Sequence, residues 1–130
     1  MNWKHPDKVQ PRLKRYLKIM TLLLDRTPII LSDYREGDPR THGKGMAVDT
    51  YWPNIDPLVV LEKVKQLNLF GGVGLYLNEK GVVSFHFDIR EHKEDGDIYS
   101  WGCFITPSGN GREYNYVAMN LVVDDVKKRS

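Results

Sequence analysis

A chain of 130 residues with 41% hydrophobic residues can fill one core, so a single domain over residues 1–130 is expected. Its 19 Lys and Arg against 17 Asp and Glu leave a formal charge of +2, too slight an excess to indicate nucleic-acid binding. The one cysteine, Cys103, excludes an internal disulfide, and the apolar run at residues 19–24 is far shorter than the roughly 20 residues that span a bilayer.

The first half of the chain predicts a helix followed by two strands. Apolar residues recur at helical spacing through residues 9–25, which predicts an amphipathic helix with basic residues on its polar face. A short β-branched run, residues 28–31, predicts a buried strand that leads into Ser32. Residues 45–51 alternate in polarity and predict a second strand, on which Asp49 points to the face opposite its neighbours.

A second helix and a hairpin are predicted next. Asp56 and Pro57 are typical of a helix start, with Asp as the N-cap and Pro at the first helical position. Residues 73–77 and 82–89 flank an Asn-Glu-Lys-Gly turn, which indicates a β-hairpin.

The tail of the chain is less regular. Residues 98–105 predict one more strand and residues 107–111 predict a loop, whereas residues 113–128 fit either a helix or a strand followed by a short helix. The predicted fold class is therefore α+β, with a small antiparallel β-sheet flanked by helices.

Two histidines and a carboxylate have the chemistry of a metal site. His42 lies in the loop that enters the second strand, and Gly43 and Gly45 allow a bend that aims His42 and Asp49 at one point. His86, on a strand of the predicted hairpin, can add a third ligand. Three such ligands with an open fourth position are the arrangement of a zinc hydrolase. The alternative is that each histidine is a hydrogen-bonded structural residue, since the spacing by itself is a weak signal.

Four motifs strengthen the zinc interpretation. They are Ser32-x-Tyr34-Arg35, His42-x-x-Gly45-x-Ala47-x-Asp49, Gly71-Gly72-Val73-Gly74-x-Tyr76 and Phe85-His86-x-Asp88-x-Arg90. In this order and spacing, the chain resembles the zinc D-alanyl-D-alanine carboxypeptidase and murein endopeptidase family, in its subgroup that ends in His-x-Asp. The resemblance covers about residues 30–101 and implies the fold that this family shares with the hedgehog signalling domain.

The resemblance also implies roles for individual residues. It implies His42, Asp49 and His86 as ligands of Zn²⁺. Arg35 matches the basic residue that contacts the substrate and the developing oxyanion, a task suited to a guanidinium fork. Ser32 matches a position that shapes the substrate pocket, with a turn hydroxyl that caps the backbone as the alternative.

The chain departs from the family at the group that handles protons. Many members place Glu three residues before the last ligand or His two residues before it, and those positions are Val83 and Ser84 here. Asp88 is the expected catalytic substitute, because it shares a strand face with His86. It can either reach the metal-bound water or hold the imidazole in place, and both roles stay open. The loop alternatives for proton transfer are Glu36, Asp38 and His92.

Two further residues are expected to bind substrate. Arg90 shares the face of His86 and can bind a substrate carboxylate, with an ion pair to Asp88 as the alternative. Trp101 is a candidate for the groove wall together with Trp52 and Tyr76. Core packing is the alternative for these aromatic residues, and it is favoured for Tyr76.

The expected function is that of a zinc-dependent metallopeptidase that hydrolyses peptide bonds of bacterial peptidoglycan, as a D,D-carboxypeptidase or endopeptidase of the phage endolysin type. The alternative is a zinc-bearing module that binds cell wall or protein with little or no catalytic activity. The expected partner is a stem peptide or cross-bridge, with no nucleic acid, no membrane insertion and a monomeric state. Without a secretory signal, the enzyme is expected to be made in the cytoplasm and to act at the bacterial cell wall. Release by phage lysis fits this expectation, and a virion-associated or non-classically exported enzyme fits it equally.

Overall fold

The computed structural model describes all 130 residues, Met1–Ser130, as three helices and six strands. The helices are α1 (Pro11–Leu24), α2 (Pro57–Leu67) and α3 (Met119–Arg129), and the strands are β1 (Ile29–Ser32), β2 (Ala47–Tyr51), β3 (Gly72–Asn78), β4 (Val83–Asp88), β5 (Tyr99–Ser108) and β6 (Gly111–Val117). The predicted α+β class is confirmed, and the tail is a strand followed by a helix. No helix has the length and apolar character needed to cross a bilayer.

The six strands form one mixed sheet in the order β1-β2-β4-β3-β5-β6. All neighbours are antiparallel except β3 and β5, so the prediction of an antiparallel sheet is wrong for this pair. The reason is topological. β4 pairs with β3 on one side and with β2 on the other, so it has no edge left for β5. β5 therefore joins the sheet on the other side of the hairpin, against β3. Because β5 starts at the sheet end where β4 stops, it runs parallel to β3.

One face of the sheet packs against the helices. Alternation along β2, β3 and β4 directs apolar side chains such as Val48, Leu75 and Phe87 into a core that also receives Leu17 of α1 and Val122 of α3. Asp56 caps α2 as predicted, since its side chain accepts a hydrogen bond of 2.9 Å from the Leu58 amide. The opposite face of the sheet carries no helix from this core and is open.

A row of four paired residues crosses the open face from β2 to β5. Asp49 lies opposite His86, His86 opposite Gly74, and Gly74 opposite Trp101. A Cβ atom on Gly74 would lie 2.5 Å from Nε1 of Trp101, so only glycine leaves room for the indole. The Trp101 ring consequently lies 5.1 Å from the imidazole of His86, between ring centroids.

Candidate metal centre

Three side chains from three different elements converge on the open face. His42 lies on a 3₁₀ turn (Thr41–Lys44), Asp49 on β2 and His86 on β4. One possible ligand atom from each lies within 4.8 Å of the others, which makes the group able to hold a metal ion. Asp49 and His86 are direct partners in the β2–β4 register. The structure therefore brings together the three residues that the sequence singled out as ligands.

Two glycines give the His42 turn its shape. Gly45 has a left-handed φ of 67°, and a Cβ on it would lie 2.0 Å from the carbonyl oxygen of Lys8. A Cβ on Gly43 would overlap the carbonyl oxygen of Asp38. Both positions therefore require glycine, and the bend predicted from them is present.

In each imidazole, one nitrogen lies against a hydrogen-bond acceptor and the other faces Asp49. Nδ1 of His42 lies 2.6 Å from the carbonyl oxygen of Asp33, and its Nε2 lies 3.4 Å from Oδ2 of Asp49. Nε2 of His86 lies 2.7 Å from Oδ2 of Asp88, and its Nδ1 lies 3.0 Å from Oδ1 of Asp49. Because a carbonyl oxygen only accepts, Nδ1 of His42 carries the hydrogen of a neutral ring. His86 has a carboxylate oxygen at each nitrogen, and a neutral ring can donate to only one of them.

This arrangement fits a cation. With the hydrogen of a neutral His86 on the nitrogen toward Asp88, both nitrogens that face Asp49 have lone pairs, and the three side chains offer one another only acceptors. Arg35 donates to Asp49 from outside the cluster, and a proton on a histidine or a bound metal ion would satisfy the two nitrogens. Two imidazoles and one carboxylate, with the histidines held by acceptors on their far side, form a ligand set typical of Zn²⁺.

The pKa values of Asp49 and His86 reflect the attraction between the carboxylate and the imidazoles. Burial opposes the charge of Asp49, but hydrogen bonds and charge attraction from His42 and His86 hold the pKa of this carboxyl well below its usual range. Burial also lowers the pKa of His86, but Asp49 and Asp88 together raise it by more. The metal-free cluster therefore favours a proton on His86.

Asp88 lies behind His86 and outside the three-ligand cluster. Its side chain is fully buried, and it receives two hydrogen bonds from the Arg90 guanidinium, at 2.8 and 2.7 Å. Burial raises the pKa of Asp88, but hydrogen bonds from His86 and Arg90 lower it to about 2. Since Asp88 contacts the nitrogen of His86 that faces away from Asp49, the arrangement favours the role of holding the imidazole.

Arg35 lies at the mouth of the site. Its Nη2 lies 2.7 Å from Oδ2 of Asp49, and its Nε donates to the Ser32 hydroxyl at 3.0 Å. A second carboxylate, Asp38, lies 3.7 Å from Nη1. The Arg35 side chain is 48% exposed, so its guanidinium also faces the groove. The Ser32 hydroxyl thus orients Arg35.

Trp101 lines the groove, as expected, and its hydrogen-bond partner Tyr76 lines it too. The indole Nε1 donates to the Tyr76 hydroxyl at 3.0 Å. The core placement favoured for Tyr76 is wrong, because the strand pairing with β5 puts this residue on the open face. Burial raises the pKa of Tyr76, so its hydroxyl stays protonated at neutral pH. Trp52, by contrast, is buried in the core, where its indole donates to Thr50.

The groove over the site has a volume of about 940 Å³ and extends from the 3₁₀ turn to β6. Asp38 is the only carboxylate besides Asp49 that lines it, whereas His92 bonds the carbonyl of Asn68 elsewhere. Glu36 is exposed and does not line the groove. The lining residues not expected from the sequence include Leu31, Thr41, Ile105, Arg40, Arg112, Tyr114 and Tyr116. The alternation of the last three was a usable signal, obscured because residues 113–128 also fitted a helix.

Comparison with known proteins adds no family. No model of a known protein family matches the chain, and neither the curated proteins nor the solved structures gave a match. The resemblance carried by the four motifs therefore stays an expectation. The geometry shows a His42-Asp49-His86 cluster that lies on the floor of an open groove and is able to hold a metal ion.

Proposed function

We propose that this protein is a zinc-dependent metallopeptidase that hydrolyses peptide bonds of bacterial peptidoglycan. The observation that carries the proposal is the convergence of His42, Asp49 and His86 in an open groove, with an acceptor behind each imidazole. Imidazole ligands favour Zn²⁺ over Mg²⁺ and Ca²⁺, which prefer oxygen. The motif resemblance supplies the substrate class, the hedgehog-like peptidase fold and the cell wall as the place of action.

The residues of the site divide the chemical tasks. His42, Asp49 and His86 would hold the zinc ion, which would supply Lewis-acid chemistry and a water of lowered pKa. The Asp33 carbonyl and Asp88 each contact one nitrogen of a histidine and leave the other nitrogen facing Asp49. Arg35 presents a guanidinium beside Asp49, where it can donate to a carbonyl oxygen as that oxygen gains negative charge.

Proton handling falls to Asp38 in this proposal. Val83 and Ser84 occupy the positions of the usual Glu and His, and Asp88 lies behind His86. Asp38 is the remaining groove carboxylate, and its Oδ1 accepts from the Arg40 amide at 2.7 Å, which fixes its place in the loop. A carboxylate held at the groove wall is suited to accept a proton and return it to the leaving amine.

The experiment is digestion of purified peptidoglycan by zinc-loaded protein, followed by mass spectrometry of the fragments, with and without a chelator. We expect new peptide termini that the chelator suppresses. The Asp49→Asn variant should lose both zinc and cleavage, whereas the matched control Asp124→Asn, at an exposed position of α3, should keep both. Stoichiometric zinc without cleavage of any stem-peptide or cross-bridge bond would overturn the proposal.

A zinc-bearing binding module is the second candidate. The observation that favours it is the absence of a Glu or His at residues 83 and 84, combined with the burial of Asp88. Such a protein would sediment with peptidoglycan in a zinc-dependent manner and release no fragment. The digestion experiment separates the two candidates directly.

A further inference from the structure

The β5–β6 hairpin extends the metal-site groove well beyond the candidate ligands. Arg112, Tyr114 and Tyr116 alternate along β6, so their side chains share one face of the sheet. That face is the open one, because Tyr116 pairs with Cys103, which in turn pairs with Tyr76 on β3. All three β6 side chains line the same groove as the metal cluster.

Aromatic contacts connect this hairpin to the metal cluster. Trp101 lies beside His86 and donates to the Tyr76 hydroxyl, and the Tyr76 ring meets the Tyr116 ring edge-on at 6.2 Å between centroids. Tyr114 and Tyr116 are nevertheless 53% and 63% exposed. Exposed tyrosines that continue a groove wall offer apolar area for a bound chain while their hydroxyls stay hydrated.

The charges of the groove favour an anion. Arg35 is paired with Asp49, and Arg90 is paired with Asp88, so the charge of each guanidinium is already balanced by a carboxylate. Arg40 and Arg112 also line the groove, and neither makes a salt bridge. Asp38 and Asp49 are the only acidic side chains against these four arginines. A free guanidinium at the end of an aromatic wall is suited to bidentate binding of a carboxylate.

We propose that the β5–β6 hairpin is a subsite for acidic peptides, in which Arg112 binds a substrate carboxylate away from the scissile bond and Tyr114 and Tyr116 pack against the peptide. The occupant is a peptide because the inference rests on the proposed function of the neighbouring metal centre. The hairpin then decides which stem peptides are accepted. A stem peptide whose D-glutamate has a free α-carboxylate is bound in preference to the same peptide with that carboxylate converted to an amide.

The test uses two synthetic stem pentapeptides that differ only in whether the α-carboxylate of their D-glutamate is free or a primary amide. With zinc-loaded protein, we expect Arg112→Gln to raise KM for the free-carboxylate peptide about 10- to 100-fold and to leave KM for the amide peptide nearly unchanged. The control is Arg15→Gln, the same charge change on the exposed surface of α1. Equal effects of Arg112→Gln on both peptides, or no effect, would overturn the subsite.

Direct binding separates this inference from the proposed function. Titration of both peptides into the zinc-loaded protein, followed by tryptophan fluorescence, needs no turnover. If no bond is cut but the free-carboxylate peptide binds more tightly and Arg112→Gln removes the preference, the subsite stands and the peptidase fails. If both peptides are cut and bound equally well, the peptidase stands and the subsite fails. If neither peptide binds, the subsite is overturned.

Discussion

The carboxylate of Asp88 lies 2.7 Å from Nε2 of His86, the ring nitrogen that faces away from the candidate metal position. The same carboxylate accepts two hydrogen bonds from Arg90 and has no exposed surface. A buried carboxylate in this place fixes the ring orientation and makes the opposite nitrogen a better ligand. Asp88 is thus placed to orient His86 in the candidate metal cluster, and it does not line the groove.

The first prediction follows from this contact. Asp88→Asn should lower zinc affinity about 10- to 100-fold, because an amide orients the His86 ring less firmly and no longer increases its basicity. Competition with a chromophoric chelator measures the affinity, and Asp124→Asn is the control with the same change at an exposed position of α3. Unchanged zinc affinity together with lost turnover would return the proton-handling role to Asp88.

The second prediction concerns Asp38. Asp38→Asn should keep zinc bound and the protein folded, yet reduce kcat about 10²-fold or more, since the amide cannot accept a proton. The measurement is turnover of a stem pentapeptide at saturating substrate, with zinc content determined on the same sample. Glu36→Gln, two residues away and outside the groove, is the control. A kcat within about twofold of the parent protein would show that another group moves the proton.

The third prediction concerns the glycine between His86 and Trp101. Gly74→Ala should destabilise the fold by about 1–3 kcal/mol and displace the indole, because the new Cβ would lie 2.5 Å from Nε1 of Trp101. Denaturant unfolding and tryptophan fluorescence report the two effects. Gly111→Ala is the control, since its Cβ would meet nothing closer than 3.9 Å. Equal stability of the two variants would contradict the packing described for this row.

The fourth prediction concerns pH. The pKa of metal-free His86 lies above its ordinary value of 6.5, so protonation of this ring stabilises the fold fully below pH 6.5 and ceases to do so as pH rises through the folded pKa. Zinc needs the neutral ring and gains affinity over the same range. The difference in Tm between zinc-loaded and metal-free protein should therefore widen as pH rises above 6.5 and through the folded pKa of His86.

Differential scanning calorimetry at constant ionic strength checks the pH prediction. Because zinc content can change with pH, the loaded samples are measured in the same excess of free zinc at each pH. The control is the Asp49→Asn variant, in which the metal ligand set is broken and added zinc should produce no such divergence. A Tm difference that stays constant or narrows with rising pH would contradict the assignment of the proton to His86.

Much of the local structure was predictable because it depends on neighbours in the chain. Helical spacing in residues 9–25 predicted α1 and the Asp56-Pro57 pair predicted the start of α2, within one or two residues. The turn at residues 78–81 predicted the β3–β4 hairpin. Loop residues 107–111 were less well predicted, since β5 continues to Ser108 and only a two-residue turn separates it from β6.

The sequence by itself determined which groups of this protein could bind a metal ion, because two histidines and an aspartate carry their donor atoms wherever they are placed and the neighbouring glycines allow the required bend. Only the tertiary structure decided how those groups face one another. The β2–β4 register sets Asp49 opposite His86, and the strand geometry turns Asp88 behind the ring. The parallel pairing of β5 with β3 brings Trp101 and the β6 face to the groove. Pairing between distant strands depends on which sheet edges are free, which no local pattern records.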